Sequence, residues 1–598
     1  MEKLHHNGVL VPPRYEGKGL TVKVKGREIR LTTEQEEMAV AWAKKVGTPY
    51  VEDPVFAKNF HKDFSNKLGI EVKPGDVDYS EIVSLVEKER ELTKGLPREE
   101  KKLLAAQRKA AREANKEHYG FAWVDDERTE LANYVAEPSS IFMGRGEHPL
   151  RGSWKEGPTE EDVILNLSPD APTPKGNWKE IVWEPEAIWI ARWQDKLSDK
   201  MKYVWFSDSS SFKQKKDIEK FDKAKEFRRN LLRVKRHILK NLESDDLKRK
   251  KTATVCYLID KLKIRVGDEK DPDEADTVGA STLRREHIKI NGNGTVSFNF
   301  LGKDSVPHIF TTELPEKVIE NLKEFSGNSE STLFEGVRSS QVSEFLDEVM
   351  TGLSAKVFRT FYASDAVKTK LDKTPVDSED PEYVKKYVAK MANLEAAKVC
   401  NHKRTIPKRW EASLEKKKER IKVLNERANV AQAKLKRKAK EQDKRYLERL
   451  KKQEEKLKVA MENLEEIKRQ LEERQKQGQS VDALTKRVRS KQKVIELTRQ
   501  RITELNAKHK EQMNKQKQRL ENRKQRDKAA LEKMKLNIAI QEETRDYNLS
   551  TSLKSYIDPR IYYEWGKQLE YDWKQYYQKA LHKKFSWVDT QEDKTENS

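Results

Sequence analysis

Near the end of the chain, in STSLKSYIDPRIYYEW (residues 550–565), Tyr556 stands on a short serine-rich turn just ahead of an Asp-Pro helix start. Asp558 suits the cap of the next helix and Pro559 its first position, which leaves the tyrosine on the bend. A phenol with an ordinary pKa of about 10 is a poor nucleophile unless cations around it stabilise negative charge. If it attacked a phosphodiester, charge would build on the non-bridging oxygens, where fixed guanidinium and imidazole donors act best. The departing sugar oxygen would need a proton, which a positioned lysine can donate. The chemistry therefore asks for two arginines, a histidine and a lysine on ordered elements.

The chain offers candidates for each role. Arg265 lies in YLIDKLKIRVGDEKD, at the end of an apolar-faced helix that Gly267 is expected to close. Arg359 lies in LSAKVFRTFYASD, where Val357, Phe358 and Phe361 would fix the helix against a core. His402 lies in AAKVCNHKRTIP, at the end of an alanine-rich helix that stops before Pro407. In REHIKINGNGTVSFNFLGKDSVPHIF, NGNG turns the chain between two alternating runs and GKDS turns it again, so Lys303 falls at or near a hairpin tip. Taken singly, each has a plainer explanation: charges at helix ends for Arg265 and His402, a surface charge for Arg359, a solvated turn for Lys303. Spacing and composition alone do not make them a site.

The elements that would position these groups follow from composition and pattern. A length of 598 residues suggests about three or four domains. The net charge of +21 favours a polyanionic partner, with nucleic acid the first candidate. The start MEKLHHNGVL lacks the apolar core of a signal peptide, and no apolar run of about 20 residues could span a membrane. Cys256 and Cys400 are the only cysteines, which excludes a disulfide framework and a zinc-knuckle spacing. A soluble intracellular protein without metal or cofactor is expected.

Residues 1–210 mix short strands, Gly/Pro turns and a charged helix. YEGKGLTVKVKGREIRL alternates as a strand pair, PREEKKLLAAQRKAAREANKEHYG reads as a helix stopped by Gly120, and IVWEPEAIWIARW and MKYVWF read as aromatic-rich strands. Residues 211–411 read as mostly helical around the hairpin insertion. From 412 to 540 the chain turns to Lys, Arg, Glu and Gln. Leu450, Leu457, Leu464 and Leu471 recur every seven residues, as do Val488, Ile495 and Ile502, with a break around Gly478. This predicts two antiparallel coiled-coil arms of roughly 60 residues, about 90 Å long at 1.5 Å per residue. Residues 541–598 form a last helical segment rich in Trp and Tyr. The expected fold class is α+β in four parts: a mixed N-terminal lobe, a mainly helical catalytic core with the hairpin insertion, the coiled coil, and a small helical C-terminal domain.

Several of these stretches occur together, in one order, in a known family. YLIDKLKIRVGDEKD, ADTVGASTLR, FLGKDS, AKVFRTFYAS, VCNHKR and YIDPRI resemble eukaryotic-type (type IB) DNA topoisomerases, and FAKNFHKDF, YGFAWVDD, IFMGRGEHP and GNWKEIVWEP resemble that family's DNA-clamping region. The resemblance covers nearly the whole chain outside the coiled coil. It implies a DNA clamp with a tyrosine-recombinase-like core, in which Tyr556 is the nucleophile, Arg265, Arg359 and His402 bind the transition state, and Lys303 is the general acid. It further implies DNA contacts at Arg145, Lys202, Tyr203, Thr277, Asp304 and Lys356. The implied activity is relaxation of supercoiled double-stranded DNA by a monomer, without ATP or metal.

Two departures stand out. The family usually reads Ser-Lys-x-x-Tyr before the nucleophile, whereas Leu553 follows Ser552 here and Lys554 comes one place later. Ser555 stands where Asn is usual, from which weak sensitivity to camptothecin-type poisons is expected. The resemblance begins almost at once, at GVLVPPRYEGKGL, which suits a compact archaeal member acting on chromosomal DNA in the cytoplasm, or a nuclear one if the source is eukaryotic. The rival readings are a tyrosine recombinase and a non-catalytic chromatin protein on the same fold. Recombinases usually carry His-x-x-Arg at the second arginine, where this chain has Lys356, and lack a long coiled-coil insertion.

Overall fold

The structure, a computed structural model, describes residues 1–268, 275–327 and 332–590. The chain forms two compact units: Met1–Glu379 with Met391–Arg404 and Tyr547–Ser598, and Asp380–Lys390 with Thr405–Asp546.

In the first unit, the alternation near the start becomes an antiparallel pair, Thr21–Val24 with Arg27–Arg30, which buries Val22 and Val24. The Pro54–Leu68 helix is capped by the Asp53 carboxylate and presents Phe56, Phe60 and Phe64 at four-residue intervals to one core. A four-stranded sheet follows, in the order Glu180–Val182, Ile164–Asn166, Trp189–Gln194, Met201–Trp205. The Arg98–Tyr119 helix ends at Gly120 as the sequence predicts, and it buries none of its residues. Its apolar residues Leu103 and Leu104 stay exposed.

The same unit continues into the layer that carries the candidate chemistry. Helices Ser211–Asn241, Leu247–Leu262 and Ala355–Lys373 pack around Phe227, whose ring lies 4.5 Å from that of Phe358 and 5.3 Å from that of Phe361. Against them lies an antiparallel sheet of Ile288–Ile290, Thr295–Gly302 and Val306–Glu313, with Val296, Phe298 and Phe300 turned into the core. Their two-residue spacing is the strand period read from the sequence.

Two local expectations are corrected. The Leu247–Leu262 helix is closed by Lys263 in the left-handed conformation (φ 58°), not by Gly267. Ile264 must turn inward to its buried place immediately afterwards, so the helix stops early. Gly267 (φ 91°) serves a different need: its backbone and that of Gly279 approach so closely that a Cβ on either would collide. The serine-rich stretch before Tyr556 is not a simple turn but a helix, Leu549–Ser555, capped by the Asn548 side chain.

The second unit is dominated by two long helices, Trp410–Lys476 and Asp482–Glu543, joined through Gly478 (φ 68°). They run antiparallel: Gln432 bonds Asp527 at 3.1 Å, Gln442 accepts from Gln516 at 3.1 Å, and the Tyr446 hydroxyl reaches Asn506 at 2.7 Å. Ile495 is buried on the seam, and Leu450, Leu457, Leu464, Leu471, Val488 and Ile502 are partly so. Among the described residues, no helix is long and apolar enough to cross a membrane.

Candidate active site

Tyr556 directly follows the Leu549–Ser555 helix, and its amide donates to the Ser552 carbonyl at 2.9 Å. Beyond it, buried Asp558 caps the Pro559–Gln568 helix by accepting the Arg560 amide at 3.0 Å, and Arg560 pairs with it again through its guanidinium. The tyrosine thus opens a three-residue bend, Tyr556 to Asp558, between two capped helices, which restricts its backbone. The first of the two departures of sequence just before it has a local explanation. Leu553 is buried, and Lys554 pairs with Asp208 at 2.8 Å.

Arg359 projects from the Ala355–Lys373 helix and is only 4% exposed, so the plain surface-charge reading does not hold. One of its terminal nitrogens donates to the Cys400 carbonyl at 2.7 Å and lies 3.3 Å from Nε2 of His402. Its Cζ is 5.1 Å from the centre of the Tyr556 ring. Its Nε is buried with no partner among the described residues. A buried guanidinium with a donor unspent is costly unless an anion arrives to accept it.

His402 follows the Glu382–Val399 helix, just past Asn401 in the left-handed conformation (φ 50°). Its carbonyl accepts the Asn548 amide at 2.7 Å, and its ring centre lies 5.2 Å from that of Tyr556. Nδ1 is 2.6 Å from the Ser552 hydroxyl. Burial, and then the charges of Arg359 and Arg265, push its pKa down to about 3, so the ring is neutral near pH 7.

Arg265 sits two residues past the close of its helix. Its carbonyl accepts the Ala280 amide at 2.8 Å, and the Gly267–Gly279 approach locks this strip against residues 278–282. Its charge reaches two imidazoles, those of His402 and His308. Lys303 begins the turn Lys303–Ser305 at the tip of the hairpin closed by the Gly302–Val306 pair, and it is exposed. The hairpin is tied to the His402 turn by Asn401, whose side-chain amide donates to the Pro307 carbonyl at 3.3 Å.

Of the other expected contacts, Arg145, Lys202 and Thr277 line one cleft of about 680 Å³ together with His148, Lys155 and Ser305. The walls meet closely there, for a Cβ on Gly146 (φ 58°) would overlap the Ser305 hydroxyl. Tyr203 neighbours Lys202 on a strand, so it faces the other side, where its ring leans on Trp205 at 4.8 Å. Lys356 is exposed in the first turn of the Arg359 helix. The side chain of Asp304 and residues 269–274 lie outside the described residues. No cluster of three or more His, Cys, Asp or Glu side chains suited to a metal occurs among the described residues.

Sequence reasoning missed three neighbours of these groups. Ser552 touches His402, Ser364 holds the bend at Tyr556, and His308 stacks on Phe300 at 4.8 Å within the field of both arginines, its pKa pushed down to about 4 by burial first. The spacing of Ser552 four residues before Tyr556 carries a helical signal; the other two have none.

Comparison with known proteins accounts for both ends and the middle of the chain. Residues 1–206 match the family model described as the DNA binding fragment of eukaryotic DNA topoisomerase I, 209–435 its catalytic core, and 528–596 a C-terminal topoisomerase domain. DNA topoisomerase 1 beta of Arabidopsis thaliana is 31% identical over 98% of this chain and 58% of its own length. DNA topoisomerase 1 of Homo sapiens is 29% identical over 98% of this chain and 70% of its own length. This chain therefore spans less than two thirds of the Arabidopsis protein. DNA topoisomerase 1 of Candida albicans, at 32% identity, aligns over 98% of this chain and 78% of its own length. With that extent of likeness, the chain belongs to the eukaryotic DNA topoisomerase I family.

Proposed function

We propose that this chain relaxes positive and negative supercoils in duplex DNA as a type IB topoisomerase, through a transient bond between Tyr556 and one strand. The observation that carries this reading is the buried Arg359 guanidinium, which meets His402 and the Tyr556 ring while its Nε has no partner among the described residues. A phosphodiester would supply the missing acceptor. The shared name of the relatives, DNA topoisomerase 1, supports the same reading.

The Tyr556 oxygen attacks phosphorus, losing its proton to water, and forms a 3′-phosphotyrosine ester as the bond to the 5′ oxygen breaks. Lys303 protonates that leaving oxygen. Arg265, Arg359 and His402 donate to the non-bridging oxygens, where charge accumulates. The downstream duplex turns about the intact strand. The 5′ hydroxyl then attacks back, returning its proton to Lys303 and releasing the tyrosine. One ester replaces another of similar energy, so torsional strain suffices to drive relaxation without nucleotide hydrolysis.

DNA is held as a clamp holds it, with Arg145, Lys202, Tyr203, Thr277, Asp304 and Lys356 as contacts, mostly to backbone, so sequence preference is low. Affinity falls steeply with salt as phosphate counterions are released. The lobe of residues 1–210 and the core of 211–411 supply the clamp, 412–540 the coiled coil, and 541–598 the nucleophile. The protein acts as a monomer on chromosomal DNA.

The test is relaxation of a plasmid without any special site, carrying either sign of supercoil, in chelator and without ATP, followed by mapping of the trapped adduct. Relaxation with Tyr556 joined to a 3′ end, abolished in Tyr556→Phe, supports the reading. Activity confined to special sites would favour a recombinase, and absence of any adduct would leave a DNA-binding protein.

A further inference from the structure

The Ser552 side chain is fully buried and meets Nδ1 of His402 at 2.6 Å, while its backbone carbonyl accepts the amides of Tyr556 at 2.9 Å and Ile557 at 3.1 Å. One residue therefore holds the imidazole with its side chain and the nucleophile with its backbone. On the far side of the ring, Nε2 faces an Arg359 nitrogen at 3.3 Å. A guanidinium can only donate, so in the DNA-free protein Nε2 must accept. The ring is neutral, and its single proton then sits on Nδ1 and is donated to the Ser552 oxygen.

That arrangement is the reverse of what the reaction needs. A phosphoryl oxygen only accepts, so once a phosphate draws the Arg359 donors, Nε2 must carry the proton. Nδ1 then becomes an acceptor and wants a donor. A hydroxyl is one of the few side-chain groups able to serve both states, since it accepts in one orientation and donates after a rotation. A carboxylate would hold the proton on Nδ1, and a methyl group would leave Nδ1 buried without a partner in either state.

We propose that Ser552 is a positioning residue that switches the tautomer of His402 when DNA enters, so that Nε2 donates to the scissile phosphate. The proposal rests on the function proposed above. The proton balance closes through solvent: Nδ1 releases its proton to water, Nε2 takes one from water, and the Ser552 hydroxyl reverses direction. The short helix Leu549–Ser555 makes the switch local to the nucleophile, because the Asn548 amide that precedes it is bonded to the His402 carbonyl at 2.7 Å.

The experiment measures single-turnover cleavage of a duplex oligonucleotide by the full chain and by Ser552→Ala and Ser552→Thr, across pH. Ser552→Ala should cleave about 10-fold more slowly throughout the range from about pH 6 to about pH 8.5, because the His402 ring stays neutral there and depends on the hydroxyl for its tautomer. Ser552→Thr, which keeps the hydroxyl, should restore most of the rate. No deficit, or a folded threonine variant as slow as alanine, overturns the proposal. A measurement independent of these variants is the 15N spectrum of the His402 ring, assigned by His402→Gln, in the free protein and in Tyr556→Phe bound to duplex. The proton should move from Nδ1 to Nε2, and the same tautomer in both states overturns the switch. Failure of the wild-type chain to form any Tyr556 adduct would instead remove the function, a result distinct from an adduct that forms without regard to Ser552.

Discussion

The Ser364 hydroxyl donates to the carbonyl oxygen of Tyr556 at 3.1 Å and accepts the amide of Asp558 at 3.0 Å. It spans the bend from both sides, from a helix that also carries Arg359. The distance between the nucleophile's backbone and the arginine is thereby fixed within one rigid element. Because small displacements of a reacting group cost rate steeply, Ser364→Ala should slow cleavage and religation together by about 10-fold while leaving DNA affinity unchanged. Rapid-quench kinetics with a binding titration checks this. A loss confined to binding would show that the bridge positions something other than Tyr556.

Lys303 is proposed as the proton donor, which makes a sharper demand than mere loss of rate. Lys303→Ala should lower cleavage of an ordinary duplex by about 10²-fold or more. The loss should largely disappear when the leaving 5′ oxygen is replaced by sulfur, which departs without a proton. Equal losses on both substrates would assign Lys303 to binding. The Asn401 bond to Pro307 ties its hairpin to the His402 turn, so Asn401→Ala should produce a weaker version of the same pattern.

All five candidate catalytic residues belong to the first unit, whereas residues 425–530 belong to the second. Excising that stretch just inside the level of the Gln432–Asp527 bond and rejoining the helices should therefore leave adduct formation essentially unchanged. Single-molecule rotation under torque then separates two roles. Rotation of unchanged speed and salt dependence leaves the coiled coil a tether, while faster and less salt-sensitive rotation makes its basic surface a brake.

The legible parts of the sequence were those in which one residue's type answers to its neighbours along the chain. The Asp558-Pro559 start, the Gly120 stop, the Thr295–Glu313 hairpin and the seven-residue spacing of the coiled coil all depend on local geometry, and the structure has them. The close of the helix at Lys263 was not legible, because the deciding group, buried Ile264, acts through tertiary packing. The site shows the same division. Tyr556 and the arginines were found through a motif order, but Ser364 is separated from Tyr556 by 192 residues and Ser552 from His402 by 150. No pattern of spacing announces a contact between residues so far apart.

The histidines of the first unit make its stability depend on pH in a definite direction. His6, His308 and His402 are held neutral by burial, with pKa values pushed down to about 4, about 4 and about 3, and the last two also feel Arg359 and Arg265. Unfolding restores each towards its ordinary value of about 6.5. Between those limits the unfolded chain binds protons that the native chain does not, so stability is fully present above about pH 6.5 and is lost as the pH falls below it. Each ring contributes a slope of at most about 1.4 kcal/mol per pH unit. Arg359→Ala removes one of the two charges acting on His308 and His402, so it should flatten this acid slope, whereas His6, which does not feel that guanidinium, should titrate as before. A duplex bound to Tyr556→Phe should flatten it too, since a phosphate beside the arginines offsets their field. Unfolding midpoints measured from about pH 7 to about pH 5 decide the matter, and an acid slope identical in wild type and Arg359→Ala would show that burial alone, without the guanidinium, keeps these rings neutral.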